Sequence, residues 1–113
     1  MGSTVFVIDS SPAVLRMVEQ LSAPDGHTVI GFHDGPSALD AARKLCPALV
    51  IADYHLENIT FSGFCKEIGQ QDNLAETVIV SMVDAADRMD ERKLRSLGVR
   101  AFLKKQFQSD EIL

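Results

Sequence analysis

Ala48-Leu49-Val50-Ile51-Ala52 is an uninterrupted run of small and branched apolar residues that stops at a carboxylate, Asp53. A strand with one wet face alternates apolar and polar residues, so an unbroken run predicts a strand buried on both faces. Such strands sit at the centre of parallel sheets, and an open sheet of that kind leaves a ligand crevice at the C-terminal ends of its strands, where Asp53 falls. Thr4-Val5-Phe6-Val7-Ile8, ending at Asp9, and Thr77-Val78-Ile79-Val80, ending at Ser81, have the same character.

Helical stretches separate these runs. Ser11 and Pro12 suit an N-cap and a first helical residue, and Val14, Leu15, Val18 and Leu21 fall on one face. Pro24-Asp25-Gly26 reads as a turn, and Thr28 to Phe32, which contains Gly31, suits a strand near an edge. Gly35-Pro36-Ser37 opens a second helix with Ala38, Leu39, Ala42 and Leu45 inward, and Cys46-Pro47 ends it. After the Asp53 strand a polar loop runs from Tyr54 to Phe61, and Ser62-Gly63 leads into a short helix carrying Phe64, Cys65 and Ile68. Asp84 is expected to cap a charged surface helix from Ala85 to Leu97, with Asp87 at the capping-box acid position and Ala86, Met89, Leu94 and Leu97 as a thin apolar stripe. Gly98 is its expected C-cap, Ala101-Phe102-Leu103 a fifth strand, and Ser109-Asp110-Glu111 the start of a last helix that the chain cuts short. Strict β-α alternation predicts an α/β fold: one domain over residues 1–113, a doubly wound five-stranded parallel sheet with right-handed crossovers.

Several function classes are excluded at this level. A net charge of −5 without clustered Lys and Arg argues against a nucleic-acid surface. No apolar run approaches the ~20 residues of a membrane span, and the N-terminus shows no secretory or myristoylation pattern. Cys46 and Cys65 are expected as free thiols in a chain read as intracellular. His27, His33 and His55 lack metal-ligand spacing and read as surface or loop residues.

The topology delivers Asp9, Asp53, Ser81 and Lys105 from four strand ends to one edge of the sheet. A strand-end carboxylate beside a second acid, a hydroxyl and an amine is a phosphoryl-transfer constellation. Asp53 would be the nucleophile, Lys105 and Ser81 would contact phosphoryl oxygens, and carboxylate-held Mg²⁺ would offset charge. The bland alternatives are a capping acid at Asp53, a helix-start acid at Asp9 and a solvated lysine at 105. A small phosphatase would need a second acid two residues after a strand-end nucleophile, which Asp9-Ser10-Ser11 lacks. A flavin phosphate loop wants backbone N–H groups where Pro12 has none.

Val5 through Pro12, Leu49 through His55, Thr77 through Ser81 and Phe102 through Phe107 together resemble the receiver domains of two-component response regulators, in order and spacing, from Thr4 to Leu113. The resemblance implies a flavodoxin-like sheet of order 2-1-3-4-5 and phosphorylation of Asp53 by a histidine kinase or phosphotransfer protein. It also implies a switch through Ser81 and Phe102, and an output domain or downstream protein met by the fourth helix and fifth strand. A cytoplasmic, prokaryote-type signalling system follows, with no enzymatic activity beyond the domain's own aspartyl phosphorylation and dephosphorylation.

Four departures from the family pattern bear on the chemistry. Asp9-Ser10 replaces a pair of acids, so Ser10 stands at the direct metal-ligand position and Mg²⁺ binding is expected to be weak or absent. Met82 follows Ser81 where a small residue usually borders phosphodonor access, and is expected to narrow it. Gln106 replaces the proline after Lys105, which favours a trans peptide and a shifted amine. The loop after Asp53 looks about two residues longer than the family norm and lacks its proline, so the geometry of the metal-binding backbone carbonyl at His55 is expected to change. The reading is a phosphorelay receiver with impaired Mg-assisted chemistry at Asp53. Its alternative is a pseudo-receiver that works as a phosphorylation-independent interaction module. With its last helix cut short, the sheet face beside strands one and five is expected to be covered by a longer parent chain or by a homodimer.

Overall fold

A computed structural model describes residues 3–22, 26–84 and 87–104. Five strands, β1 (Thr4–Ile8), β2 (Thr28–Phe32), β3 (Leu49–Asp53), β4 (Val78–Val83) and β5 (Val99–Lys104), form one sheet of order β2-β1-β3-β4-β5. Every pairing is parallel. The connections carry α1 (Pro12–Ser22), α2 (Gly35–Leu45), α3 (Phe61–Gly69) and α4 (Glu91–Ser96), with a 3₁₀ turn at Asp72–Leu74 before β4. This is the doubly wound parallel sheet expected from the alternation, in the flavodoxin-like order that the resemblance implied. The turn at 24–25, the peptide after Lys105 and the start of a fifth helix lie outside the described residues.

The pleat splits the core in two. On β1, Phe6 and Ile8 join Ala38, Leu39 and Ala42 of α2, Phe64, Cys65 and Ile68 of α3, and Leu94 of α4. Val5 and Val7 point to the opposite face, where Val14 of α1 and Met82 of β4 pack. Because side chains alternate with a period of two, each unbroken apolar strand feeds both layers at once. Val14 is buried as its helical face requires, whereas the side chains of Val18 and Leu21 lie outside the description. Gly31 on edge strand β2 leaves room for Leu15 of α1, whose Cδ1 would lie 3.1 Å from an added Cβ.

Three sequence-based boundaries change. Leu45, expected inward, is 50% exposed. The inward stripe of α2 ends at Ala42, Cys46 turns into the left-handed region at φ 47, and buried Pro47 fills the floor instead. Strand β4 does not stop at Ser81 but runs on through buried Met82 and Val83, because the ladder continues: the Tyr54 N–H donates to the Met82 carbonyl at 2.9 Å. Of the charged helix expected from Ala85 to Leu97, the structure shows α4 from Glu91, with residues 87–90 not helical and Ala85 and Ala86 outside the described residues. Asp90 caps it by accepting the Lys93 N–H at 3.0 Å, while Asp87 accepts the Asp84 N–H at 2.7 Å, the contact expected of a capping-box acid. Six residues make a helix too short to stand alone, and buried Leu94 ties it to the core.

Candidate functional site at the sheet edge

The order β2-β1-β3-β4-β5 puts β1, β3 and β4 side by side, so the residues at their C-terminal ends share one rim. Asp9 follows β1 immediately and is only 2% exposed. Its N–H continues the β1–β2 ladder to the Phe32 carbonyl at 3.0 Å, and its Oδ1 accepts the Ser11 N–H at 2.9 Å. This is a local turn ahead of the α1 start at Pro12, and it coexists with a position on the rim. Ser10 beside it is exposed.

Asp53 is the last residue of β3, 7% exposed, and its Oδ1 accepts the His55 N–H at 3.2 Å. On the neighbouring strand Ser81 is fully buried. Its Oγ has no hydrogen-bond partner among the described residues. A buried hydroxyl costs about 1–3 kcal/mol if it goes unpaired, so Ser81 is suited to donate to a polar group at the rim. Register pairs Ser81 with Ala52 and Phe102, and Met82 with Asp53 and Leu103. Met82 therefore shares a face with Asp53, but its side chain is buried among Val5, Val7 and Val14 beneath α1.

Phe102 is half-buried and packs against the larger core layer. The Arg95 guanidinium of α4 lies 5.1 Å from its ring centroid and donates to the Arg100 carbonyl at 3.2 Å. Arg100 is the extra residue of a β-bulge, where register slips between Ile79↔Val99 and Val80↔Ala101. One arginine thus fastens α4 to β5 beside the residue paired with Ser81. Lys105 lies outside the described residues.

The loop after Asp53 is anchored to α2. Asn58 takes a left-handed conformation at φ 69, and the Gly35 N–H donates to the Glu57 carbonyl at 3.2 Å. Ile59 sits directly on Gly35: a Cβ there would approach Ile59 Cγ2 closer than the 3.0 Å that real Cβ atoms respect. Between the loop and the start of α3 lies an open cavity of about 520 Å³, lined by Tyr54, His55, Leu56, Ile59, Phe61 and neighbouring hydroxyls. The Asp34 carboxylate caps α2 by accepting the Ser37 N–H at 2.8 Å, and that backbone hydrogen bond holds its pKa below the usual value.

Sequence reading missed the role of His55 beyond its backbone. Its ring Nε2 meets Asp87 Oδ1 at 2.5 Å, across 32 residues of chain, and the Asp84 N–H donates to Asp87 Oδ2 at 2.7 Å. Nothing in the local pattern signals this pairing. Only the adjacency of β3 and β4 brings the two loops together.

As to a metal, no group of three or more His, Cys, Asp or Glu side chains able to hold an ion occurs among the described residues. Two buried carboxylates, Asp9 and Asp53, stand at the ends of the adjacent strands β1 and β3, and their oxygens are hard donors. That chemistry fits Mg²⁺, with one fewer acid than a three-carboxylate site.

A parallel five-stranded sheet with acids at the tips of its central strands defines the class as a receiver-type α/β domain. The family comparison agrees: residues 5–113 match the profile of the response regulator receiver domain, and the chain belongs to that family. It is 24% identical over 105 residues to the polar-differentiation response regulator DivK of Brucella anthropi, covering 93% of this chain and 85% of that one. Among solved structures, the chemotaxis response regulator CheY4 of Vibrio cholerae superposes with a TM-score of 0.84 at 21% identity, each chain covered in full. The receiver domain of sensor histidine kinase PA1611 from Pseudomonas aeruginosa, with a magnesium ion coordinated in its active site cleft, gives 0.81 at 20% identity over 99% of this chain and 92% of that one. No described helix is long and apolar enough to cross a membrane.

Proposed function

We propose that this receiver domain accepts a phosphoryl group on Asp53, with metal assistance weakened by Ser10. The observation that carries the reading is the Ser81 hydroxyl, buried and unpartnered among the described residues one register step from Asp53. An oxygen of an incoming phosphoryl group would be an acceptor for that hydroxyl.

In the transfer, an Asp53 carboxylate oxygen attacks phosphorus and a new P–O bond forms. The bond from phosphorus to the donor's imidazole nitrogen (or to acetate oxygen) breaks, and its electron pair leaves with the donor. Asp53 is already oriented by the His55 N–H. Ser81 would donate to a phosphoryl oxygen, and Lys105, by resemblance, would pair with another. Asp9, Asp53 and the His55 backbone carbonyl would hold Mg²⁺, which when bound offsets charge on the transferring group. Replacing an acid by Ser10 removes one negative charge from that set, which supports weak binding before phosphorylation.

Ser81 and Phe102 would form the switch, read out at α4 and β5 by an output domain or downstream protein. A histidine kinase or phosphotransfer protein would be the donor, in the cytoplasm, and the chain would have no catalysis beyond its own phosphorylation cycle. A second reading, the pseudo-receiver, is favoured by one observation: the acid pair is broken at exposed Ser10.

Incubation with acetyl phosphate and Mg²⁺, followed by intact mass, separates the two. A phosphoryl adduct that disappears in Asp53→Asn is the expected result. No adduct with acetyl phosphate or with a phosphorylated phosphotransfer protein, and no effect of beryllofluoride on Tyr54 fluorescence, would leave only the interaction module.

A further inference from the structure

Helix α4 has six residues, and the buried one is Leu94. A helix that short is not stable alone, so its place is set by what its side chains touch. Next to Leu94, Arg95 meets β5 in two ways. Its guanidinium carbon lies 5.1 Å from the centroid of the Phe102 ring, and its Nη1 donates to the Arg100 carbonyl at 3.2 Å. Glu91, one turn earlier on the helix, approaches the Arg95 Nε at 3.5 Å. A planar guanidinium with rigidly spaced donors can serve a ring face, a carbonyl and a carboxylate together, which the point charge of a lysine cannot. The Arg100 carbonyl belongs to the residue that the ladder skips, where register slips between Ile79↔Val99 and Val80↔Ala101.

Phe102 also faces the other way. It is the register partner of Ser81 across the parallel β4–β5 ladder, so the two side chains stand side by side on one face of the sheet, on strands about 4.8 Å apart. Ser81 is fully buried there, and Phe102 packs half-buried against the larger core layer. Ser81, Phe102 and Arg95 therefore form a line of neighbours from the Asp53 strand's companion to α4. We infer that Arg95 is a positioning residue that couples α4 to the Asp53 site. A group that engages the Ser81 hydroxyl alters the surroundings of the Phe102 ring, and the guanidinium held on that ring passes the change to the helix. The inference rests on the phosphoacceptor reading above and adds to it the residue that carries the response. Arg95 acts through the ring rather than on phosphorus, and the coupling is reciprocal: whatever displaces α4 also changes the energy of phosphorylated Asp53.

The test uses the full chain and three variants, Arg95→Met, Arg95→Lys and Arg92→Met, with folding verified by circular dichroism. Arg95 is exposed, with its side chain 51% accessible, so its replacement leaves the core intact. Met keeps a long apolar stem without charge or donors, Lys keeps the charge, and Arg92→Met removes an exposed charge from the same helix as a control. Hydrogen exchange is read at the Leu97 and Gly98 amides, which donate to α4 carbonyls, before and after phosphorylation by acetyl phosphate or a phosphorylated phosphotransfer protein with Mg²⁺. Intact mass of the same samples identifies the Asp53 adduct. In the wild type the adduct is expected to change exchange at these amides by about threefold, the scale of one partly exposed cation–π contact with a charge-assisted hydrogen bond. The ratio should collapse towards one in Arg95→Met, recover in part in Arg95→Lys and stay intact in Arg92→Met. A merely structural arginine would speed exchange in both states alike and leave the ratio unchanged. An unchanged ratio in Arg95→Met, an equal collapse in Arg92→Met, or no response of α4 in wild-type protein that carries the adduct would overturn the coupling while leaving phosphorylation at Asp53 standing. No adduct in any of the four proteins, with either donor, would overturn the phosphoacceptor reading and the coupling with it.

Discussion

Gly35→Ala isolates the contact that holds the loop beside Asp53. Gly35 is the first residue of α2 and needs no left-handed conformation, so the substitution carries no backbone strain. Its effect is steric: the new methyl group would fall inside Ile59 Cγ2, with Leu56 Cδ1 3.7 Å away. Overpacking of this kind costs about 1–3 kcal/mol, and the helical preference of alanine over glycine returns up to about 1 kcal/mol. Ile59 is half-buried on a loop that can yield, so the balance is a loss of about 1–2 kcal/mol, or ~4 °C in Tm for each kcal/mol. The cheapest relaxation moves the loop and breaks the Gly35 N–H bond to the Glu57 carbonyl. Urea unfolding of Gly35→Ala, Ile59→Ala and the double variant measures this. In the double variant the alanine methyl occupies space vacated by Ile59, so its loss should fall short of the sum of the single losses by about 1 kcal/mol or more. A Gly35→Ala protein as stable as the wild type, or a cycle additive to within about 0.5 kcal/mol, would refute the reasoning.

Three further outcomes follow from Cys46, Cys65 and Asp34. Cys46 is exposed and Cys65 buried, so a thiol reagent should titrate one thiol in the native protein and both in urea; two fast thiols without denaturant would contradict the packing. Burial pushes the Cys65 thiol from 9.0 up to about 12, so between those values the folded chain keeps a proton that the unfolded chain releases, and Cys65→Ala should remove part of the loss of stability on raising the pH above 9.0. For Asp34 the sign is opposite. Its folded pKa lies below 3.8, its contribution is present above that value, and it is lost as pH falls through the folded value. Asp34→Ala should therefore lower the urea midpoint at pH 7, with the gap closing in acid, and a gap independent of pH would rule the cap out as its source.

What the sequence determined by itself is the architecture. Unbroken apolar runs ending at Asp9 and Asp53, Pro12 at a helix start and the Gly35-Pro36 helix opening all act through short-range sterics and burial periodicity, which a linear chain displays directly. The sheet order and the positions of Asp9, Asp53 and Ser81 follow from that pattern together with the family resemblance. Only the tertiary structure decided how far β4 extends, since Met82 and Val83 join a ladder supplied by β3. The same holds for Leu45, which faces water because the helix ends beneath it, and for Met82, which is buried below α1. It also decided that Asp87 meets His55, and that Ile59 rests on a glycine. Each of these contacts joins residues far apart in the chain, on loops made neighbours by the crossover connections. Their energies exist only once the sheet has assembled, so no local window of sequence carries their signal.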